Sequence, residues 1–161
     1  MKTEMKEKKY FPLYTDLSEK KAVVLGGGKI ASRRIRTLMD FVGNLVVIAP
    51  KAVEDVEKLA EEGRITWIPR KYQREDIYDA DIVLAATDDA GVNSDIYSAC
   101  KCMGILVNTA SDQTKCDFHF PGIICHEGVT IGFNGAGKDH GKTREMRERV
   151  EKYLTTPGGK P

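Results

Sequence analysis

Residues 23–34 read VVLGGGKIASRR, a β-branched run followed by three glycines and a segment with helical spacing. Gly26, Gly28 and Ala31 fit the pattern G-x-G-x-x-A. In dinucleotide-binding units the first glycine permits a tight turn and the second lets the backbone approach a pyrophosphate, while the small third residue lets the helix pack against the strand. The motif therefore predicts a phosphate-binding loop. The alternative is a glycine turn that only packs a helix onto a sheet.

An acidic residue about 20 positions further on usually binds the ribose in such units. Here that stretch reads LVVIAPKA and contains neither Asp nor Glu. Lys51 is the cation in this stretch, and a single ammonium lacks the fork with which arginine binds a 2′-phosphate. The residues thus predict a dinucleotide site without the usual ribose ligand.

A second candidate segment is AATDD, which ends a predicted strand where ligands bind in open α/β folds. The small Ala86 and Thr87 would leave room for a cofactor. Asp88 and Asp89 fit two roles equally, since Asp is both a functional carboxylate and a favoured helix N-cap.

Alternating strand and helix patterns position these loops. Predicted strands at Ala22–Leu25, Leu45–Ile48, Ile65–Ile68, Ile82–Ala86 and Ile105–Asn108 alternate with helices over about 29–41, 53–62 and 88–103. This order predicts an α/β fold, a Rossmann-like doubly wound parallel sheet. We assign residues 1–117 to this nucleotide-binding domain.

The pattern changes after Asp117. Two short strands around a turn at His126–Gly128 precede a charged helix, about His140–Leu154. A hairpin plus one helix is too small for its own core, so we predict a dimerisation segment over 118–154 and a flexible tail over 155–161.

Composition excludes several classes of protein. With 161 residues, a net charge of +1 and 30% charged residues, nothing indicates a nucleic-acid partner. No apolar run approaches the roughly 20 residues of a membrane span, and the charged N-terminus lacks the apolar stretch of a signal peptide. We therefore expect a cytoplasmic protein without membrane association. The four cysteines (Cys100, Cys102, Cys116 and Cys125) are too scattered for a disulfide framework or a zinc site, so we expect ordinary thiols and no metal.

Taken in order, these pieces resemble one family, the precorrin-2 dehydrogenase/sirohydrochlorin ferrochelatase module of siroheme synthase. The resemblance runs through YFPLYTDL, VVLGGGKIASRR, LVVIAP, EEGRITWIPRKY, LAATDDAGVNSDI, ILVNTASDQTKCDFHFPGI and REMRERVE. It implies a homodimer that uses NAD to oxidise precorrin-2 to sirohydrochlorin, and in bifunctional relatives also inserts ferrous iron. It also implies that NAD is held through backbone and through the loop after the second strand.

The cofactor-binding residues come from two sources. The resemblance places Lys29 and Ile30 in the glycine loop, and Pro50 and Lys51 after the second strand. The motif geometry itself adds four more, which are Gly26, Gly28, Ala86 and Thr87.

The catalytic carboxylate is displaced from its usual place. The family commonly reads Asn-Val-x-Asp, whereas this chain reads Asn108-Thr109-Ala110-Ser111-Asp112. We predict Asp112 as the proton-handling carboxylate, with a pKa that burial can raise, and Ser111 beside it. The alternative is that Asp112 caps a turn.

Substrate binding is assigned to polar and basic residues, since precorrin-2 carries many carboxylates. The candidates are Asn108, His119, Lys138, Lys142 and Arg144, with Arg147 further along the last helix. The basic ones could instead form a solvated helix face. Where the family has Ser-[ST]-Gly-Gly-x-Ser-Pro, this chain has NGAGKDH, which weakens the expectation of iron insertion more than that of dehydrogenation. Two other readings stay open: a nucleotide-sensing regulatory domain and a tetrapyrrole carrier without turnover.

Overall fold

The computed structural model describes residues 10–137 and 139–156, and five parallel strands form its main sheet. In chain order the elements are β1 (Lys21–Leu25), α1 (Lys29–Leu38), β2 (Asn44–Ile48), α2 (Glu54–Glu61), β3 (Thr66–Ile68), a 3-10 turn (Arg74–Ile77), β4 (Ile82–Ala85), α3 (Ala90–Met103), β5 (Leu106–Thr109), a second 3-10 turn (Gln113–Lys115), β6 (Gly122–His126), β7 (Val129–Phe133) and α4 (His140–Thr155). The predicted Rossmann-like fold is confirmed.

The strand order is β3-β2-β1-β4-β5, with β1 paired in parallel to β2 on one side and to β4 on the other. From Ala22 to Leu25, β1 has no exposed surface, as expected of a central parallel strand. The chain moves outward from β1 to β3 and then returns to β4, so the order reverses between β1 and β4. In open α/β sheets, ligands bind outside the carboxyl ends of the strands at this switch point.

The helices bury one apolar stripe each. On α1 the buried apolar residues are Ala31, Ile35 and Leu38, which lie on one face at helical spacing. On α3 the buried residues include Ile96, Ala99 and Cys100, and the helix ends at Gly104 in the left-handed conformation with φ +70°. These stripes and the buried strand residues make the core, which fixes where the loops at the strand ends lie.

Two compact units divide the chain. One spans Thr15–Phe118 and contains the parallel sheet; the other combines the described residues 10–14 with 119–137 and 139–156. The sequence assigns residues 10–14 to the nucleotide-binding domain, but in the structure they belong to the second unit, where the ring centroids of Tyr10 and His119 are 4.2 Å apart. This N-terminal stretch has no helical or strand periodicity from which its packing could be read.

The second unit follows the predicted pattern of hairpin and helix. Glu127 and Gly128 both have positive φ (48° and 78°), which is typical of the two-residue turn joining right-handed twisted strands. The last helix runs to Thr155, one residue into the predicted tail, and Thr155 Oγ1 donates to Glu151 O at 2.9 Å. The rest of that tail, from residue 157, lies outside the described residues.

The structure contains, over the residues it describes, no helix that is both long and apolar enough to cross a membrane.

Candidate nucleotide site

The three glycines after β1 have three different surroundings. Gly26 has φ +121°, and a Cβ atom there would lie only 2.2 Å from Ala86 O. Its N–H donates to Ile48 O, and the N–H of Ala86 donates to Leu25 O. Gly26 is therefore required where the loops after β1 and β4 approach each other, a structural role within the predicted motif.

Gly27 joins the loop after β1 to the loop after β2. A Cβ atom at Gly27 would lie 2.5 Å from Lys51 O, and Gly27 O accepts a hydrogen bond of 2.8 Å from Val53 N. Sequence reasoning missed Gly27, because the middle residue of G-x-G is free to vary in the motif. The contact places the exposed Pro50 and Lys51 beside the glycine loop, and their role in binding the cofactor stays a prediction.

Gly28 is exposed and faces open space. It is the N-cap of α1, and no heavy atom of the described residues lies within 4 Å of a Cβ built there. Within the described chain no side chain caps this helix, and its first turn, which holds Lys29 and Ile30, contains no acid. The first N–H groups of a helix lack intrahelical partners and attract anions. An open glycine at such a helix start fits a dinucleotide pyrophosphate.

The end of β2 is held by hydrogen bonds to its backbone. Trp67 Nε1 donates to Ala49 O at 3.1 Å, and Ala49 N donates to Ile68 O. No acid follows β2 directly, and Asp55 on α2 is paired with Arg36, 3.0 Å away, whose hydrogen bond lowers the pKa of that carboxyl. The charge of Asp55 therefore links α1 to α2.

Thr87 and Asp89 follow β4. Asp89 Oδ1 accepts from Gly91 N at 2.8 Å and from Val92 N at 3.0 Å, so Asp89 is the N-cap residue of α3. The half-buried Thr87 is bonded at its N–H, hydroxyl and carbonyl by the side chain of Asn93. Sequence reasoning missed Asn93, since an Asn within a helical pattern is usually solvated. The burial of Asn93, which is 2% exposed, distinguishes it from a solvated asparagine.

Asp112 caps the 3-10 turn after β5. Its Oδ1 accepts from Thr114 N at 2.9 Å and from Thr114 Oγ1 at 2.6 Å, and these bonds lower the pKa of the Asp112 carboxyl. Lys115 Nζ lies 3.9 Å from Oδ2. The expected rise of this pKa through burial is therefore wrong, because hydrogen bonds to the ionised form outweigh desolvation. The carboxylate is ionised at neutral pH, a state suited to accepting a proton.

Asn108 is buried to 3% exposure at the end of β5. Its Oδ1 accepts from Arg34 Nη1 at 2.5 Å, and its Nδ2 donates to Phe118 O at 2.7 Å. The expected substrate contact is therefore not supported, because the amide is buried and both of its ends bond to protein groups. Asn108 instead ties α1 and the chain after Asp117 to the end of β5.

The remaining predicted substrate residues lie in the second unit. His119 packs on Tyr10. Lys142 is exposed, with its N–H capped by Asp139 Oδ1, and Arg144 pairs with Glu148 at 2.7 Å. Arg147 pairs with Glu151, as helical i,i+4 neighbours do, while Lys138 lies outside the described residues. Within residues 10–137 and 139–156, no group of three or more His, Cys, Asp or Glu side chains is arranged to hold a metal ion.

The fold and site define a Rossmann-type dinucleotide-binding domain. Its features are the switch point between β1 and β4, the open glycine at the start of α1, and the close approach of two loops at Gly26. A family model described as "Putative NAD(P)-binding" matches residues 13–122, and the chain belongs to that family.

Siroheme synthases are similar to nearly the whole chain. Those of Pseudoalteromonas translucida (strain TAC 125) and Pseudoalteromonas atlantica (strain T6c / ATCC BAA-1087) are 33% and 32% identical over 145 residues, which is 90% of this chain and 31% of each relative. The chain thus spans about a third of the length of these curated relatives. The solved structure of "SirC, precorrin-2 dehydrogenase" superposes with a TM-score of 0.71 at 23% identity, covering 88% of this chain and 70% of that one. The resemblance read from the motifs is confirmed, and so is the fold.

Proposed function

We propose that this chain is an NAD-dependent precorrin-2 dehydrogenase that forms sirohydrochlorin. The observation that carries the proposal is the open phosphate-accepting loop at Gly28 in a chain that matches siroheme synthases over 90% of its length. The structural neighbour is itself named as a precorrin-2 dehydrogenase. Siroheme synthases are about three times longer than this chain. That the dehydrogenation belongs to the part of them that matches this chain is therefore also proposed.

The oxidation removes a hydride and a proton from the tetrapyrrole. When bound, NAD supplies the hydride acceptor. The N–H groups at the start of α1 would hold the pyrophosphate of NAD, and the absence of a side chain at Gly28 would let it approach. Asp112, ionised and placed after β5, accepts the proton through its carboxylate. Lys142 and Arg144 stay predictions as partners for the substrate carboxylates.

The test is to mix the purified chain anaerobically with NAD and precorrin-2. Growth of NADH absorbance together with a sirohydrochlorin spectrum supports the proposal. A spectral change without NADH would indicate a tetrapyrrole carrier, and binding of NAD with no response to precorrin-2 would indicate a nucleotide sensor. Repeating the mixture with ferrous iron shows whether iron is a second substrate.

NAD is expected to be preferred over NADP. The end of β2 offers Lys51 as a single exposed ammonium, and no arginine stands beside it in the segment 45–52. A 2′-phosphate would gain one point-charge contact, which is weak at an exposed site. Comparing kcat/KM for the two cofactors checks this preference. A tenfold or greater preference for NADP would contradict it.

The chain is also expected to be a homodimer held through its second unit. In the described part of that unit, Ile124 is the one buried apolar residue, and α4 buries none of its residues. Met146 and Tyr153 lie on the same face of α4, two turns apart, and both are exposed. An isolated two-stranded hairpin is marginal in water, so a second copy that covers this face would stabilise it.

Light scattering on the full chain checks the dimer. Met146→Glu is expected to shift the mass toward that of a monomer, because a carboxylate would be buried in the interface. Arg144→Glu introduces the same group on the opposite side of α4 and serves as the matched control. A monodisperse wild-type monomer at micromolar concentration would rule out the dimer.

A further inference from the structure

Two loops at the carboxyl edge of the sheet are joined by one side chain. Asn93, on α3, bonds to Thr87 in the loop after β4 and to Ser111 in the loop after β5. Its Oδ1 lies 3.1 Å from Thr87 N and 2.7 Å from Thr87 Oγ1, and its Nδ2 lies 3.0 Å from Thr87 O and 3.3 Å from Ser111 Oγ. Since Asn93 is 2% exposed, water cannot replace these partners.

The orientation of the Asn93 amide follows from its partners. The backbone N–H of Thr87 can only donate, so the amide atom facing it must be the acceptor Oδ1. The backbone carbonyl of Thr87 can only accept, so the atom facing it must be Nδ2. The second hydrogen on Nδ2 is then directed to Ser111 Oγ.

This orientation determines what the Ser111 hydroxyl can do. Its oxygen already accepts from Asn93 Nδ2, so its own hydrogen must point to another acceptor. No acceptor for that hydrogen is found within the described part of the chain, and Ser111 is exposed. Because Ser111 is exposed at this edge of the sheet, its hydroxyl hydrogen can be donated to solvent or to a bound molecule.

We propose that Asn93 is a positioning residue, and that through it the Ser111 hydroxyl donates a hydrogen bond to the nicotinamide half of the dinucleotide. The inference rests on the proposed function. In this fold the pyrophosphate lies at the start of α1 and the adenosine ribose at the end of β2, so the other half extends toward β4 and β5. The carboxamide oxygen of nicotinamide is an acceptor of the required kind.

The experiment compares the affinities of the full chain for NAD and for ADP-ribose, which lacks nicotinamide, by calorimetric titration. Ser111→Ala removes the donor. Asn93→Asp removes the amide hydrogens, so the Ser111 hydroxyl would turn inward to the carboxylate. Each variant is expected to weaken NAD binding by about 3- to 10-fold, the worth of one hydrogen bond, while ADP-ribose binding stays within about twofold.

Ser98→Ala is the matched control, because this exposed serine on α3 donates to Ser94 O of its own helix, and its loss should change neither affinity. If Asn93→Asp fails to fold, as a melting curve would show, Ser111→Ala alone decides. Unchanged NAD affinity in Ser111→Ala, or an equal loss for both ligands, would overturn the inference and leave the proposed function standing. A wild-type chain that binds neither ligand would contradict the cofactor assignment itself.

Discussion

Gly26→Ala should destabilise the parallel sheet, whereas Gly28→Ala should leave the fold intact and abolish most nucleotide binding. At Gly26 the new Cβ would lie 2.2 Å from Ala86 O with φ at +121°, a conformation that residues with a Cβ rarely adopt. We expect a loss of at least about 3 kcal/mol in the free energy of unfolding. For a domain of this size that lowers the melting temperature by roughly 6–12 °C.

At Gly28 the same methyl group meets no described atom, and its φ of −81° suits any residue. The cost to stability should stay near 1 kcal/mol, the typical price of alanine at an N-cap. The methyl group would stand where the pyrophosphate approaches, so we expect the affinity for NAD to fall at least about tenfold, or 1.4 kcal/mol.

Thermal melting and NAD titration of both variants check the pair. Wild-type NAD affinity in Gly28→Ala would show that the open glycine does not receive the phosphate. A Gly26→Ala chain that melts within about 1 °C of the wild type would show that the loops do not approach as described.

The second large effect is expected at Asp112. Asn retains an oxygen that can accept from Thr114 N, and it is as good a capping residue as Asp. Asp112→Asn therefore removes the charge while keeping the cap. If the carboxylate accepts the proton, kcat should fall by about 10²–10⁴ while the melting temperature changes little. Ser111→Ala at saturating NAD should cost much less in kcat, since a hydroxyl is a poor proton acceptor.

The lowered pKa of Asp112 also predicts how rate and stability depend on pH. The folded state favours the ionised carboxylate, so its stabilising contribution is present above the ordinary Asp pKa of about 3.9 and is lost as the pH falls through the lower folded value. The acid limb of kcat/KM that belongs to Asp112 in the free enzyme should therefore lie below about pH 4. If Asp112→Asn keeps more than half of the wild-type kcat, the catalytic role is wrong and the cap is its whole function.

The sequence predicted the sheet because apolar runs alternate with helical stripes, and each predicted strand overlaps an observed one. It predicted Gly26 and Gly28 as one motif but could not separate their roles, which depend on the distance to Ala86 O in another loop. The burial of Asn93 and Asn108 was equally out of reach, since Ser111 and Arg34, to which they bond, lie in other elements.

Asp112 shows why local chemistry and burial must be weighed together. The sequence offered both a catalytic carboxylate and a turn cap at this position, and the structure contains the cap. Capping bonds to Thr114 favour the ionised form and exceed the desolvation that would have raised the pKa. The capping role and a role as base are compatible, because the capping bonds use Oδ1 of Asp112 and not Oδ2.

The most direct test of the account is a single-turnover experiment under anaerobic conditions, with enzyme in excess over precorrin-2 and saturating NAD. Loss of a hydride to NAD requires one NADH for each sirohydrochlorin formed, at the same rate in both spectra. We predict that one-to-one yield for the wild-type chain. Sirohydrochlorin formation at an unchanged rate without NAD, or binding of precorrin-2 with no NADH, would contradict the assignment of this chain as an NAD-dependent dehydrogenase.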